Sequence, residues 1–317
     1  MSSTQHHLRT LVIGGAGYIG QYLLPLLVES GRSVTVLGRR DLDEKNLPLG
    51  VKYQKGDFSD LVLLRRLLSC HDEVIHMAYA TVPNSSYDNP VGDLLENLPP
   101  TVQLFSEVAE RDIKLLYVSS GGTVYGEAES LPINELHATK PISPYGLTKL
   151  TLENYARLYR ATKGLNYLCV RPANAYGVGQ LPFKGQGFIS TAIASVMKNK
   201  PVNVFGESGA VRDYVYVSDL AEGILKVLEH GRLGETYNIA TGSGLSNIDI
   251  LRQLEPVLTK HGFITMINYL PAREFDVKFN YLDNQKVKNQ TGWVPKVSFN
   301  DGLLMTINWL SENIEAF

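Results

Sequence analysis

Tyr145 and Lys149 stand four residues apart in the stretch Pro141-Ile142-Ser143-Pro144-Tyr145-Gly146-Leu147-Thr148-Lys149. Pro144 suits the first turn of a helix, and on a helix that spacing puts the phenol and the ammonium on one face. A phenol near pKa 10 is a poor base at neutral pH, and a neighbouring cation is one way to lower it. The pair therefore offers proton exchange with a substrate hydroxyl. Further hydroxyls lie just upstream in Ser119-Ser120-Gly121-Gly122-Thr123-Val124-Tyr125-Gly126, at the end of the apolar run 114–118. Tyr159 and Lys163 repeat the spacing without a proline-led start or a hydroxyl cluster, and they read as surface.

The second chemical stretch is Thr10-Leu11-Val12-Ile13-Gly14-Gly15-Ala16-Gly17-Tyr18-Ile19-Gly20. A β-branched run meets glycines and then a helical pattern whose Ile19, Leu23, Leu26 and Leu27 share a face. Gly14 permits a tight turn, Gly17 lets a pyrophosphate approach the backbone, and Gly20 lets helix and strand pack closely with the helix N-terminus facing the anion. A dinucleotide held there supplies the missing partner for Tyr145. An oxidised nicotinamide and an ammonium together lower a phenol, and a shift of about 3 units corresponds to roughly 4 kcal/mol. Hydride then moves to or from the cofactor while Tyr145 handles the proton.

The elements that position these groups alternate. Ser33-Val34-Thr35-Val36-Leu37 predicts a second strand ending at Gly38-Arg39-Arg40, where an NAD-selecting fold usually offers an acidic residue to the ribose. Arginines there suit a 2′-phosphate or serve solubility alone, so NAD and NADP both stay open. Gly56-Asp57-Phe58 opens a helix through Leu68, with Asp57 either accepting from adenine or capping the helix. Glu73 to Ala78 predicts a buried strand in which His76 is structural, since no second histidine sits at a metal-ligand spacing. No metal site is expected. Strands alternating with helices mean a parallel sheet with right-handed crossovers, with chemistry at the strands' carboxyl ends.

Composition narrows the class. The 317 residues are 44% hydrophobic with a formal net charge of -2, and Lys and Arg are scattered rather than clustered. That leaves no footprint for nucleic acid. Cys70 and Cys169 lie far apart without a C-x-x-C, which suggests reduced core thiols in a cytoplasmic protein. No apolar run reaches the roughly 18 residues of a membrane span.

Taken together these stretches resemble the extended short-chain dehydrogenase/reductase family, and within it the UDP-galactose 4-epimerase-like sugar-nucleotide enzymes. The resemblance runs through Gly14 to Gly20, Gly56-Asp57, His76-Met77-Ala78, Asn97, Ser119 to Gly126, Tyr145 to Lys149, Arg171-Pro172-Ala173-Asn174, Arg212-Asp213-Tyr214 and Arg273 to Asp276. It implies an α/β, doubly wound parallel-sheet Rossmann fold with a smaller, interleaved C-terminal substrate lobe. The expected division is 1–171 and 217–241 for the dinucleotide domain, and 172–216 and 242–317 for the lobe. It implies that Tyr145 is the acid/base and that Lys149 holds the nicotinamide ribose. The remaining cofactor contacts fall on Gly14, Gly17, Tyr18, Ile19, Gly20, Arg39, Asp57, Phe58, Met77, Ala78, Asn97, Ser119 and Pro172. Asn174, Arg212 and Arg273 are expected on the UDP diphosphate, and Asp276 on a ribose hydroxyl. Counting on from Arg273-Glu274-Phe275-Asp276-Val277 places the family's gate for the sugar C2 substituent at Asn280, small enough for an acetamido group. A homodimer pairing the helices around Val91–Arg111 and Pro144–Lys163 is also implied.

Two departures stand out. The family's catalytic Ser or Thr falls at Gly121, so Thr123 or Ser120 must supply the hydroxyl. Gly38-Arg39 also departs from the NAD pattern. A 4,6-dehydratase would need an Asp-Glu pair at Gly122-Thr123, which is missing. The first expectation is a 4-epimerase acting on a UDP-hexose or UDP-N-acetylhexosamine through a transient 4-keto sugar. The alternatives are a nucleotide-sugar reductase and a dinucleotide-binding regulator without turnover.

Overall fold

The computed structural model of the protein describes residues 7–272 and 277–317. The first half runs β1 (Arg9–Ile13), α1 (Gly20–Glu29), β2 (Ser33–Gly38), β3 (Lys52–Lys55), α2 (Leu61–Leu68), β4 (Glu73–His76), α3 (Pro83–Asp88), α4 (Pro90–Glu110), β5 (Lys114–Val118) and α5 (Pro144–Lys163). It continues with β6 (Tyr167–Pro172), β7 (Asn174–Tyr176), α6 (Phe188–Met197), β8 (Val202–Phe205), β9 (Val211–Tyr216), α7 (Val217–His230) and β10 (Thr236–Ile239). The last part holds β11 (Gly244–Leu245), α8 (Asn247–Lys260), β12 (Ile267–Leu270), β13 (Phe279–Asn280), α9 (Gln285–Thr291) and α10 (Phe299–Asn313).

Seven strands form one sheet in the order β10-β6-β5-β4-β1-β2-β3, every neighbouring pair parallel. Their side chains alternate between two cores, as a sheet covered on both faces requires. Leu11 and Ile13 of β1 join Leu115 and Tyr117 of β5 under α2, α4 and α5. Val12, Leu116 and Val118 point the other way, into a core with Leu23 and Leu27 of α1 and Leu220, Ile224 and Leu228 of α7.

After β6 the chain leaves this sheet, returns as α7 and the edge strand β10, and later packs Leu282, Val287 and Trp293 into the same core. The excursions build a small sheet around β9, which pairs with β7, β11 and β13, and a third core under α6, α8 and α10. Links back to the large sheet are specific. Ile133 bridges Leu282, and the buried Asp213 carboxylate accepts from the Thr241 and Gly242 N–H groups and the Thr241 hydroxyl.

Several local expectations change. The cap of α2 is Asp60, whose Oδ1 accepts from the N–H groups of Val62 and Leu63 at 3.0 and 3.2 Å. Asp57 instead closes a turn onto the Ser59 N–H at 2.9 Å. Helix α7 starts straight off β9 at Val217 without a side-chain cap. Cys169 is buried in the core as expected, whereas Cys70 is exposed. No helix among the described residues is long and apolar enough to cross a membrane.

Candidate active site

The carboxyl ends of β1, β4, β5 and β6 open into one cavity of about 1330 Å³. Its first wall is the turn after β1. Gly14 adopts φ +86°, and a Cβ there would lie 2.6 Å from the Ala78 nitrogen, so β1 and the end of β4 meet only because the position is glycine. Gly20 lies behind the wall, pressing α1 so close to the turn that a Cβ would sit 1.8 Å from the Gly15 carbonyl oxygen. At Gly17 a Cβ would meet only the Gly14 oxygen, at 3.4 Å, which leaves the outer side of the turn open to the cavity. Helix α1 begins without a side-chain cap, and Gly17, Tyr18 and Ile19 line the cavity at its N-terminus. Uncapped N–H groups beside an open glycine are what a pyrophosphate needs.

From that turn the wall runs both ways. Arg39, Asp57 and Phe58 lie toward β2 and β3, with the exposed Arg39 guanidinium 3.9 Å from the Asp57 carboxylate. Met77, Ala78, Asn97 and Ser119 continue it along β4, α4 and β5, and Pro172 closes it at β6. The Asn97 Oδ1 accepts from the Ala80 N–H at 2.8 Å and so holds the segment leaving β4. Ser119 turns its hydroxyl inward to Glu153, which pairs with Arg171 through contacts of 2.6 to 3.2 Å. His76 is structural as read, packed between Phe58 and Tyr117 and bonded to Thr101, with burial pulling its pKa down to about 3.

Tyr145 and Lys149 come together at the middle of the wall. Ser143 caps α5 by accepting from the Gly146 N–H at 3.0 Å, and Pro144 follows, which sets both side chains toward the cavity. Lys149 donates to the Val118 carbonyl at 2.8 Å and lies 5.7 Å from the Tyr145 ring centre. Burial pulls the Lys149 ammonium down to about 7. Burial, with the Asp93 carboxylate adding to it, pushes the Tyr145 phenol well above its ordinary value. The lowering expected from the sequence draws on the oxidised nicotinamide as well as the ammonium, and burial acts against it.

Ser120 and Thr123 both line the cavity, and the Thr123 Oγ1 is buried without a hydrogen-bond partner among the described residues. Gly121 is explained by its neighbours. A Cβ there would meet Leu282 Cδ1 at 2.4 Å and the carbonyl oxygens of Arg171 and Pro172 at 3.0 and 3.1 Å.

Asn174 and Arg212 line the far part of the cavity. Asn174 donates to the Asp213 carbonyl at 3.2 Å, and Arg212 to the Val211 and Val277 carbonyls at 3.0 and 2.6 Å. Arg273 and Asp276 lie outside the described residues. Asn280 is fully buried on β13, and its Nδ2 donates to the Gly121 carbonyl at 3.1 Å, behind the turn that carries the hydroxyls. The cavity wall itself reaches Val277 on this side.

Two contributors escaped the sequence reading. The buried Asp93 accepts hydrogen bonds from the Thr81 and Thr148 hydroxyls, tying α4 to α5. Its position one helical turn before Asn97 was the available signal. Tyr79 packs its ring edge against Tyr145 at 4.7 Å between centroids.

An open glycine turn at an uncapped helix, a Tyr/Lys pair and free hydroxyls on one cavity define a dinucleotide-binding α/β protein equipped for proton transfer. The model of the NAD dependent epimerase/dehydratase family matches residues 10–240, and the chain belongs to that family. A putative UDP-glucose 4-epimerase of Methanocaldococcus jannaschii is 34% identical over 308 residues, covering 96% of this chain and 98% of the relative. The crystal structure of UDP-glucose 4-epimerase with UDP-glucose from Thermotoga maritima superposes with a TM-score of 0.89 at 30% identity, over 97% of this chain and 100% of that one. The UDP-glucose 4-epimerase of Thermus thermophilus in complex with NAD gives 0.86 at 30% identity, over 96% and 99%.

Proposed function

We propose that the protein is a UDP-sugar 4-epimerase acting on a UDP-hexose or UDP-N-acetylhexosamine, with Tyr145 as its acid/base. The observation that carries this reading is the meeting of Tyr145, Lys149, Ser120 and Thr123 on the cavity that also holds the glycine turn. NAD, when bound, supplies a hydride acceptor and donor. The turn at Gly14 and Gly17 and the end of α1 hold the cofactor's pyrophosphate. Tyr145 takes the proton of the sugar C4 hydroxyl as the carbon is oxidised and gives it back to the inverted alcohol. Lys149 in its charged form favours the phenolate, and the free Thr123 hydroxyl is suited to orient the C4 oxygen, with Ser120 beside it. Asn174 and Arg212 serve the diphosphate at the far end.

This reading divides the chain into a cofactor domain, 1–171 and 217–241, and a substrate lobe, 172–216 and 242–317. It includes a homodimer through α4 and α5, where Val91, Leu94, Leu95, Leu147 and Leu158 are exposed. Asn280, small and bonded to the Gly121 carbonyl, is the residue of this reading that leaves room for an acetamido group at the sugar C2. The deciding experiment incubates the protein and NAD with single UDP-sugars and separates the products. Interconversion at C4 without net NADH supports the epimerase. Stoichiometric formation of NADH with a keto-sugar would instead identify net oxidation, the reverse of a reductase, and absence of any C4-inverted product overturns the epimerase.

A further inference from the structure

Tyr79 follows the end of β4 and lies between the two members of the proton-transfer pair. The Lys149 Nζ sits 4.0 Å from the centre of its ring, nearer than the rings of Tyr117 at 5.2 Å and Tyr145 at 5.7 Å. The same ring meets Tyr145 edge-on, at 4.7 Å between centroids and 66° between planes. One aromatic side chain therefore touches both.

An ammonium that is only 3% exposed has given up its water. Its bond to the Val118 carbonyl at 2.8 Å uses one of three N–H groups. The ionisable groups facing it are Asp93 on α4, Glu153 and Tyr145 on α5, Cys169 on β6, Tyr117 on β5 and His76 on β4. Glu153 directs its oxygens to Arg171 and Ser119, and Asp93 directs its own to Thr81 and Thr148. After the Val118 carbonyl, the face of Tyr79 is the nearest of the three aromatic faces around the ammonium, and an aromatic face attracts a desolvated cation more strongly than an exposed one.

We infer that Tyr79 is a positioning residue whose ring holds Lys149 in its charged form and fixes the Tyr145 ring beside it. The electrostatic part stands on the geometry alone. The catalytic consequence rests on the epimerase reading.

The test reads Lys149 directly in the whole protein, as the pH dependence of its modification by acetic anhydride followed by mass spectrometry. The wild-type midpoint is expected near 7. Tyr79→Phe keeps the face and the midpoint. Tyr79→Leu removes the attraction, disfavours the ammonium and lowers the midpoint by about one pH unit. Pentafluorophenylalanine at position 79 keeps the shape and reverses the charge of the face, so it lowers the midpoint at least as far even if the leucine variant fails to fold. An unchanged midpoint with the fluorinated ring overturns the inference. So does an equal fall in Tyr79→Phe, which would assign the effect to the hydroxyl.

Turnover supplies the second readout. At pH 8, above the midpoint, a one-unit fall cuts the charged fraction about tenfold. Tyr79→Leu should then lose about tenfold in kcat with KM changed by less than about threefold. A moved midpoint in a protein without epimerase activity would sink the functional reading and leave the role of Tyr79 intact.

Discussion

Replacing Gly121 by serine would restore the hydroxyl that the family pattern places there, and the geometry argues that it does so at a cost in stability. A new Cβ would sit 2.4 Å from Leu282 Cδ1, more than an ångström inside ordinary contact, and 3.0 and 3.1 Å from two carbonyl oxygens. The leucine is fully buried, and the carbonyls are backbone at the end of β6, so neither side yields freely. Overpacking of this kind costs about 1 to 3 kcal/mol. For a chain of this length that lowers Tm by about 2 °C per kcal/mol. Leu282→Ala alone should cost about 2 to 5 kcal/mol through its cavity. The double variant should be more stable than the sum of the two losses, by about 1 to 2 kcal/mol, because each substitution relieves the other. Urea denaturation of the four proteins completes the cycle. Gly121→Ser with wild-type stability, or strict additivity with Leu282→Ala, would refute the steric account of why this position is glycine.

Other expected outcomes follow from the same contacts. Tyr145→Phe should keep fold and NAD binding, measured by circular dichroism and calorimetry, while turnover falls at least about 100-fold. Glu153→Ala leaves the Arg171 guanidinium, 7% exposed, without its carboxylate, and denaturation should show a loss of about 3 to 5 kcal/mol. Lys149 has its pKa lowered from 10.5 to about 7 on folding, so between those values the unfolded chain binds the extra proton and stability rises with pH. Lys149→Met should flatten that part of a stability-against-pH curve. Light scattering at micromolar concentration should give a dimer mass, and a monomer would remove the α4/α5 interface from the reading.

The first turn was legible because everything it needs is local: an apolar run in β1, four glycines and an amphipathic α1 in one short stretch. Tyr145 and Lys149 were legible for the same reason, since a capped helix fixes their relation without outside help. The surroundings of Asn280 were not legible, because its partner is 159 residues away and its environment is made by a strand pairing that local pattern cannot show. The substitution at Gly121 was visible, but its cause, Leu282, was not. The depth of the Tyr145 ring was not legible, because desolvation depends on how deeply it is packed and spacing along a helix carries no information on depth.

The contact between Asn280 and Gly121 also fixes an order of events. A ribosome adding roughly 5 to 20 residues per second releases Gly121 about 8 to 30 s before Asn280 exists to brace it. During that interval β1 to β6 can pair, yet the turn carrying Ser120 and Thr123 lacks Asn280 and Leu282 behind it, and β10 has still to close the sheet edge. The turn that carries the reactive hydroxyls thus gains its backing only late in synthesis, although its own residues are made early.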